Sequence, residues 1–212
     1  MQSRRGPITV VKLGGSLASS DDLAGWLDVL CRSRAGVVVV PGGGPFADAV
    51  RDQQTRLGFD DGVAHQLAIL AMEQFGRVLA GSRPGLSAAA SKSAIRRALA
   101  EGRVPIWMPA RMTAGRAEIP ESWDVTSDSL ALWLAIQLRA RRVILIKAAD
   151  PPSQATTAVD LVERGMIDPA FPDVLAGFSG DAWCAGPLHR DRLAAALDGD
   201  AEPGIRIRPA PA

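Results

Sequence analysis

Ile8-Thr-Val-Val-Lys-Leu-Gly-Gly-Ser16 joins an apolar, β-branched run to a pair of glycines. A short continuous apolar run is typical of a strand that is buried on both faces of a parallel sheet. The glycines let backbone N–H groups approach an anion closely, and Lys12 adds a compact positive charge just before the strand ends. Only three of the 24 basic residues are lysines, so this placement is informative. The stretch predicts a strand that ends in a phosphate-binding loop; a tight turn beside a solvent-reaching lysine is the alternative.

Two more apolar runs end in residues that suit phosphate chemistry. One leads into Pro41-Gly-Gly-Gly-Pro45, and the other leads into Lys147-Ala-Ala-Asp150. Ligands of open parallel sheets collect at the carboxyl ends of the strands, so we expect these ends to meet the Lys12 loop. We predict that Lys147 and Asp150 bind phosphate or ribose; an ion pair between these two side chains is the alternative.

Asp124 and Asp128 flank Val-Thr-Ser at the start of a helix predicted over residues 126–139. A carboxylate at a helix start satisfies free N–H groups, so capping alone would explain Asp124. Capping explains the second acid less well. We therefore predict that Asp128 holds the ammonium group of Lys12 in position.

Strands and helices alternate along the chain, which indicates an α/β fold. The pattern predicts strands at residues 8–13, 36–40, 104–108, 142–146, 181–185 and 204–207. It predicts helices at residues 21–33, 46–56, 63–80, 87–101, 126–139, 160–166, 169–176 and 189–197, a turn at 60–62 and a loop at 151–157. The strands are continuously apolar, so the sheet should be mostly parallel with helices on both faces. For 212 residues we predict a single domain whose two lobes, about 1–115 and 116–212, meet near residues 110–122.

The composition argues against several classes of function. A net charge of +1 gives no basis for binding nucleic acid or an anionic membrane. The N-terminal residues lack the apolar segment of a signal peptide, and no apolar run is long enough to span a bilayer, so we predict a cytoplasmic protein. The two cysteines form no CxxC pattern and no Cys/His cluster occurs, so we predict no metal site formed by protein side chains.

The glycines after the second strand have another interpretation. Gly42, Gly44 and Ala47 fit the GxGxxG/A fingerprint of a dinucleotide-binding fold, and the acids at residues 60–61 stand at about the distance of a ribose contact. An oxidoreductase would, however, leave the Lys12 motif without a function. No GxxxxGK[ST] P-loop sequence occurs.

Four motifs in this order resemble the amino acid kinase superfamily, which includes acetylglutamate, uridylate, aspartate and isopentenyl phosphate kinases. They are Lys12-Leu-Gly-Gly-Ser16, Pro41-Gly-Gly-Gly44, Asp124-Val-Thr-Ser-Asp128 and Lys147-Ala-Ala-Asp150. Residues 64–76 and 123–131 look most like the kinases of methanofuran biosynthesis, which phosphorylate [5-(aminomethyl)furan-3-yl]methyl phosphate with ATP. The resemblance implies a three-layer αβα sandwich that forms a homo-oligomer or a hetero-oligomer with a related subunit.

The resemblance also implies a mechanism, with ATP and Mg²⁺ on the nucleotide-side lobe and a small phosphate monoester on the acceptor-side lobe. The expected catalytic residues are Lys12 and Asp128. The expected nucleotide contacts are Gly14, Gly15, Ser16, Lys147 and Asp150. The expected acceptor contacts are Gly42, Gly43, Gly44, His65 and Asp124, with Trp123 as a further candidate. A phosphate acceptor is already ionised, so no general base is expected.

Two departures from the family pattern favour an alternative, a non-catalytic subunit that scaffolds a partner. Family members commonly continue as Thr-Asp-Val-Asp-Gly where this chain has Ala149-Asp-Pro-Pro-Ser153, so the second acid and the glycine are missing. Many members also carry a lysine after a Gly-Gly-Met segment, and Gly165-Met-Ile-Asp168 offers none. Loss of these groups would weaken nucleotide binding.

Overall fold

An eight-stranded sheet forms the centre of the part of the chain that this computed structural model describes, residues 6–152, 156–199 and 201–209. The strands are β1 (Ile8–Leu13), β2 (Gly36–Pro41), β3 (Leu86–Ala89), β4 (Val104–Trp107), β5 (Arg142–Ile146), β6 (Thr156–Thr157), β7 (Asp181–Ala185) and β8 (Ile205–Arg208). They lie in the order β3-β4-β2-β1-β5-β7-β8-β6, and each adjacent pair is parallel except β7 with β8. The predicted, mostly parallel sheet is confirmed.

Helices cover both faces of this sheet. They are α1 (Asp22–Arg32), α2 (Gly44–Leu57), α3 (Asp61–Ser82), α4 (Lys92–Ala100), α5 (Ala110–Thr113), α6 (Ser127–Leu138), α7 (Ala158–Glu163), α8 (Phe171–Ala176) and α9 (Arg190–Asp198), with 3₁₀ helices at Gly15–Ser19 and Pro187–His189. Side chains alternate across each strand, so Val10 packs in the core beneath α6 while Val11 packs in the core beneath α1 and α9. The three-layer αβα sandwich is therefore confirmed. In the described ranges, no helix is both long and apolar enough to cross a membrane.

The helix predicted over residues 87–101 is wrong in its first part. Leu86–Ala89 forms β3 and pairs with β4, and α4 begins only at Lys92. The side chain of Ser91 accepts a hydrogen bond from the N–H of Ala94 and so starts the helix. The alanine-rich run favours a helix locally, but pairing along β4 overrides this preference.

Two other predictions need correction. The turn expected at residues 60–62 is the start of α3, because the side chain of Asp60 caps the helix by accepting the N–H of Val63. Two of the seven residues in the loop expected at 151–157, Thr156 and Thr157, pair with β8 as β6, and Ser153 to Ala155 lie outside the described residues. One continuous sheet carries strands from both expected lobes, and the division between the lobes stays a prediction.

The central strands bring the predicted motifs to one edge of the sheet. β1 lies between β2 and β5, and Leu13 pairs with Pro41 on one side and with Ile146 on the other. The loops that follow these three strands therefore start at the same level. Because side chains alternate along a strand, Lys12 and Lys147 project from the face that α6 covers.

Candidate active site

Two lysines and one aspartate form a cluster where β1, β5 and α6 meet. Nζ of Lys12 lies 3.0 Å from Oδ1 of Asp128, and Nζ of Lys147 lies 2.8 and 2.6 Å from the two carboxylate oxygens. Lys12 and Asp128 are only 5% and 4% exposed. The expected pair of Asp128 with Lys12 is present, and Lys147 pairs with Asp128 instead of Asp150.

Opposing effects set the charges of this cluster. Burial lowers the pKa of Lys12 below its ordinary value; Asp128 opposes this effect and Lys147 adds to it. Burial alone would raise the pKa of Asp128, but the two lysines outweigh burial and the pKa of this carboxyl lies below its ordinary value. One carboxylate therefore faces two basic groups, an arrangement that suits an anion such as a transferring phosphoryl group.

Asp168 organises the start of α6, and sequence reasoning missed it. Its carboxylate accepts hydrogen bonds from the N–H and hydroxyl of Thr126 at 2.9 and 2.8 Å, and from the N–H of Ser129 at 3.0 Å. The hydroxyl of Ser129 donates a further hydrogen bond to it. Asp168 thus caps the helix from a distant part of the chain, where no local pattern marks it. The sequence signal that could have identified Asp168 is its position in the segment where members of the resembled family carry a lysine.

The two glycine loops lie against each other. A Cβ atom at Gly15 would come within 2.4 Å of the backbone N of Gly44, and one at Gly42 within 2.3 Å of the backbone N of Gly15. A side chain at either position would push the loops apart. Gly44 also has a φ of 54° at the start of α2, a conformation that glycine adopts readily.

Three amides of these loops have no hydrogen-bond acceptor in the described part of the chain: those of Gly15, Gly43 and Gly44. The N–H of Gly14 donates to the carbonyl of Ile146 at 3.0 Å, and the N–H of Gly42 donates to the carbonyl of Leu13 at 2.8 Å. These two amides hold the loops to the sheet, so the Gly14 amide is not available for the predicted donor contact, and the acceptor contact of Gly42 stays a prediction. The free amides at the N-terminus of α2 make a favourable position for an anion.

A pocket of about 250 Å³ opens beside the free amides. Its wall includes Gly15, Ser16, Gly43, Gly44, Asp48, Arg51, His65 and Trp123. The guanidinium carbon of Arg51 lies 4.2 Å from the centre of the Trp123 ring, and Nη1 of Arg51 lies 3.2 Å from Oδ1 of Asp48. Nε1 of Trp123 donates to Oε1 of Gln54 at 2.7 Å, which orients the indole.

Sequence reasoning missed Asp48 and Arg51 as residues of this pocket. Their spacing from Gly44 places all three residues on one face of α2.

Two of the predicted acceptor contacts lie in different surroundings. His65 is buried in the pocket wall, and its Nδ1 donates to the carbonyl of Ser122 at 3.1 Å. Asp124 is exposed and is not part of this wall, and its carbonyl accepts the N–H of Ala170 at 3.1 Å. His65 therefore lies in the pocket wall and Asp124 lies outside it, and the acceptor contacts of both residues stay predictions.

Asp150 connects the loops that follow β5 and β7 at the carboxyl ends of these strands. Its Oδ1 accepts the N–H of Leu188 at 3.0 Å and lies 3.3 Å from Nδ1 of His189. Asp150 thus ties the loop after β5 to the 3₁₀ helix after β7. In the described ranges, no group of three or more His, Cys, Asp or Glu side chains comes together as a metal site.

The comparisons with known proteins agree with this geometry. Residues 7–151 match the amino acid kinase family, and this range includes all four motifs. Over 201 residues the chain is 27% identical to a [5-(aminomethyl)furan-3-yl]methyl phosphate kinase from Methanocaldococcus jannaschii, which covers 90% of this chain and 93% of that protein.

Solved structures of the same fold are also similar. Uridylate kinase from Archaeoglobus fulgidus matches with a TM-score of 0.69 at 19% identity, over 94% of this chain and 99% of that one. UMP kinase from Ureaplasma parvum matches with a TM-score of 0.65 at 13% identity, over 96% and 98%. These identities show the fold alone, whereas the family match covers most of the chain. This chain belongs to the amino acid kinase family, and it is a small-molecule kinase.

Proposed function

We propose that this chain transfers the terminal phosphoryl group of ATP to a small acceptor that already carries a phosphate group. The observation that carries this proposal is the Lys12–Asp128–Lys147 cluster, close to a pocket whose wall contains free amides. Phosphoryl transfer has a loose transition state with charge spread over the moving group, so positioned positive charges and N–H donors supply most of the catalysis. The cluster offers the positive charges, and the glycine loops offer the N–H donors.

In the proposed reaction, an oxygen of the acceptor phosphate attacks the γ-phosphorus of ATP, and the bond from that phosphorus to the β,γ-bridging oxygen breaks. ADP leaves, and the acceptor becomes a diphosphate. Lys12 stabilises the charge on the moving group, and Asp128 holds Lys12 in place. The amides of Gly43 and Gly44 bind the acceptor phosphate, whose oxygen is already ionised and needs no general base.

The nucleotide would lie at the ends of β5 and β7. Lys147 would bind the phosphates of ATP, and the amide of Gly15 would point toward these phosphates. Asp150 would hold the loop that borders the nucleotide site. Mg²⁺ would neutralise charge on the phosphates of ATP and would be held largely by those phosphates, as Mg²⁺ commonly is. The described residues bring no dedicated protein cage together for it.

The acceptor that we propose is [5-(aminomethyl)furan-3-yl]methyl phosphate, which the relative from M. jannaschii has in its name. Three side chains of the pocket wall suit the parts of this molecule. The indole of Trp123 offers a flat face for the furan ring, Arg51 offers paired donors for the phosphate, and the carboxylate of Asp48 can bind the ammonium group. The pocket of about 250 Å³ lies just below the usual size range of ligand pockets, which favours an acceptor as small as this one.

The test is to measure ADP release and the ³¹P spectrum of the product with MgATP and each of two acceptors, the aminomethylfuran phosphate and UMP. We expect a diphosphate product from the first, with kcat/KM at least about a hundredfold higher than for UMP, since UMP lacks the ammonium group and the furan. Faster turnover of UMP would reject the proposed acceptor. No turnover together with no MgATP binding in calorimetry would support the scaffold subunit instead.

Replacing Arg51 with Met should raise the KM for the acceptor by about tenfold or more, because a charge-assisted hydrogen bond to phosphate is lost. The KM for ATP should stay within about twofold. Arg56→Met is the matched control, because Arg56 is exposed on the same helix and does not line the pocket. An unchanged acceptor KM in Arg51→Met would remove Arg51 from the acceptor site.

The chain should also assemble as a homodimer through α3. Four large apolar side chains on this helix are 37–56% exposed: Val63, Leu67, Leu70 and Val78. Their spacing places these four side chains along one face of the helix, which we call the α3 stripe. In an antiparallel pair of α3 helices with a two-fold axis near Leu70, Val63 of each copy would meet Val78 of the other, so the stripe is complementary to itself.

Leu70→Lys should therefore halve the mass measured by light scattering, because it places two ammonium groups together at the two-fold axis. Leu57→Lys is the control, since Leu57 is 73% exposed at the end of α2 and outside the stripe. A wild-type chain that is monomeric at micromolar concentration would reject the homodimer.

A further inference from the structure

We infer that Asp168 is a positioning residue for phosphoryl transfer: it fixes the first turn of α6 so that Asp128 stays between the two lysines, and its negative charge acts on Lys12. The inference rests on the proposed phosphoryl transfer, but the closing experiment needs no acceptor. Asp168 touches neither lysine in the described contacts, so its effect passes through α6 and through the field of its charge.

The hydrogen bonds of Asp168 hold both sides of the turn that carries Asp128. Thr126 precedes this residue by two positions and Ser129 follows it directly, and both donate N–H and hydroxyl groups to the same carboxylate. The turn is therefore clamped on either side of Asp128. A shift of this turn would move the Asp128 carboxylate relative to Lys12 and Lys147, which approach it from two different strands.

Burial makes this clamp electrostatically important. Asp168 is only 6% exposed, so its charge is poorly screened by water. Burial, and then the neighbouring Asp128, raise the pKa of Asp168 above its ordinary value. Burial is also the main influence on the pKa of Lys12 and lowers it, whereas Asp128 and then Asp168 are the carboxylates that raise it. Lys147 is the remaining charge that faces Lys12, and it lowers this pKa.

The scarcity of lysine makes a direct test practical. With only Lys12, Lys92 and Lys147 in the chain, ¹³C labelling of lysine gives three Cε signals that single substitutions can assign. We expect the titration of Lys12 to move to lower pH in Asp168→Asn, because its ammonium form loses a nearby negative charge. Asp173→Asn, an exposed site on α8, should leave the titration in place.

Activity gives the second measurement. Asp168→Asn should lower kcat about tenfold to a hundredfold, because the reacting groups are misplaced, while the KM for ATP changes by less than about threefold. A residue with only a structural role would lower the melting temperature and leave the Lys12 titration and the kcat of the folded protein unchanged; that result would overturn the inference. A wild type without turnover would reject the proposed function and would leave the lysine titration as a valid test.

Should Asp168→Asn not fold, the wild type itself provides the evidence. Protonation of Asp168 should appear as an inflection in the Cε shift of Lys12 at a pH above the ordinary range of aspartate, since the pKa of Asp168 is raised. Asp128 should titrate at lower pH, because the two lysines lower its pKa below the ordinary value. A Lys12 signal without an inflection in this range would overturn the inference.

Discussion

Lys12→Met should lower kcat by about a hundredfold to a thousandfold while the protein stays folded. Lys12 is one of the two cations of the cluster, and its Nζ would lie 3.7 Å from a Cβ atom at Gly14. The loss of one preorganised group that stabilises transition-state charge commonly costs about a hundredfold to a thousandfold. Methionine retains most of the volume of the lysine side chain. The fold should tolerate the change, because burial disfavours the charged lysine and Asp128 keeps Lys147 as a partner.

Kinetics and thermal melting of the same preparation check this prediction. Lys92→Met is the matched control, because Lys92 is exposed on α4 and donates to Gln137 at 2.7 Å, away from the cluster. The control should keep wild-type kcat, and Lys12→Met should melt within a few degrees of the wild type. A Lys12→Met protein with more than a tenth of wild-type kcat would reject the proposed mechanism.

Asp128→Asn should lose both activity and stability, which distinguishes it from Lys12→Met. Removing the carboxylate leaves Lys12 and Lys147 facing each other in a buried site, and breaking a buried ion pair in this way costs about 3 kcal/mol or more. In a chain of this length, such a loss lowers the melting temperature by about 6 °C or more. The activity should fall about as far as in Lys12→Met.

A double variant separates the two effects. Lys12→Met with Asp128→Asn removes one charge of each sign, so part of the lost stability should return while activity stays absent. Asp191→Asn is the control, because Asp191 occupies the first turn of α9 as Asp128 does in α6, but it is exposed. Equal melting temperatures for Asp128→Asn and the wild type would contradict the buried charge cluster.

Local patterns were sufficient to predict the central strands. β1, β5 and β7 have the predicted bounds because each is a continuous apolar run with polar or turn residues at its ends. β3 was missed because its residues, Leu86–Ala89, favour a helix by themselves and become a strand only beside β4. A segment adopts its intrinsically preferred conformation when strand pairing favours the same conformation. When the two differ, as in β3, strand pairing determines the structure.

The sequence by itself determined that glycines and lysines stand at the ends of buried strands. Glycine, lysine and apolar runs carry this information within a few residues, because strand length, turn conformation and side-chain alternation are local properties. Only the tertiary structure decided which groups meet. Lys147 pairs with Asp128 and not with Asp150, because β1 and β5 are neighbours beneath α6 while Asp150 turns toward the helix that follows β7. Asp168 caps α6 from a position beyond β5, β6 and α7, and such a contact depends on packing that no local pattern records.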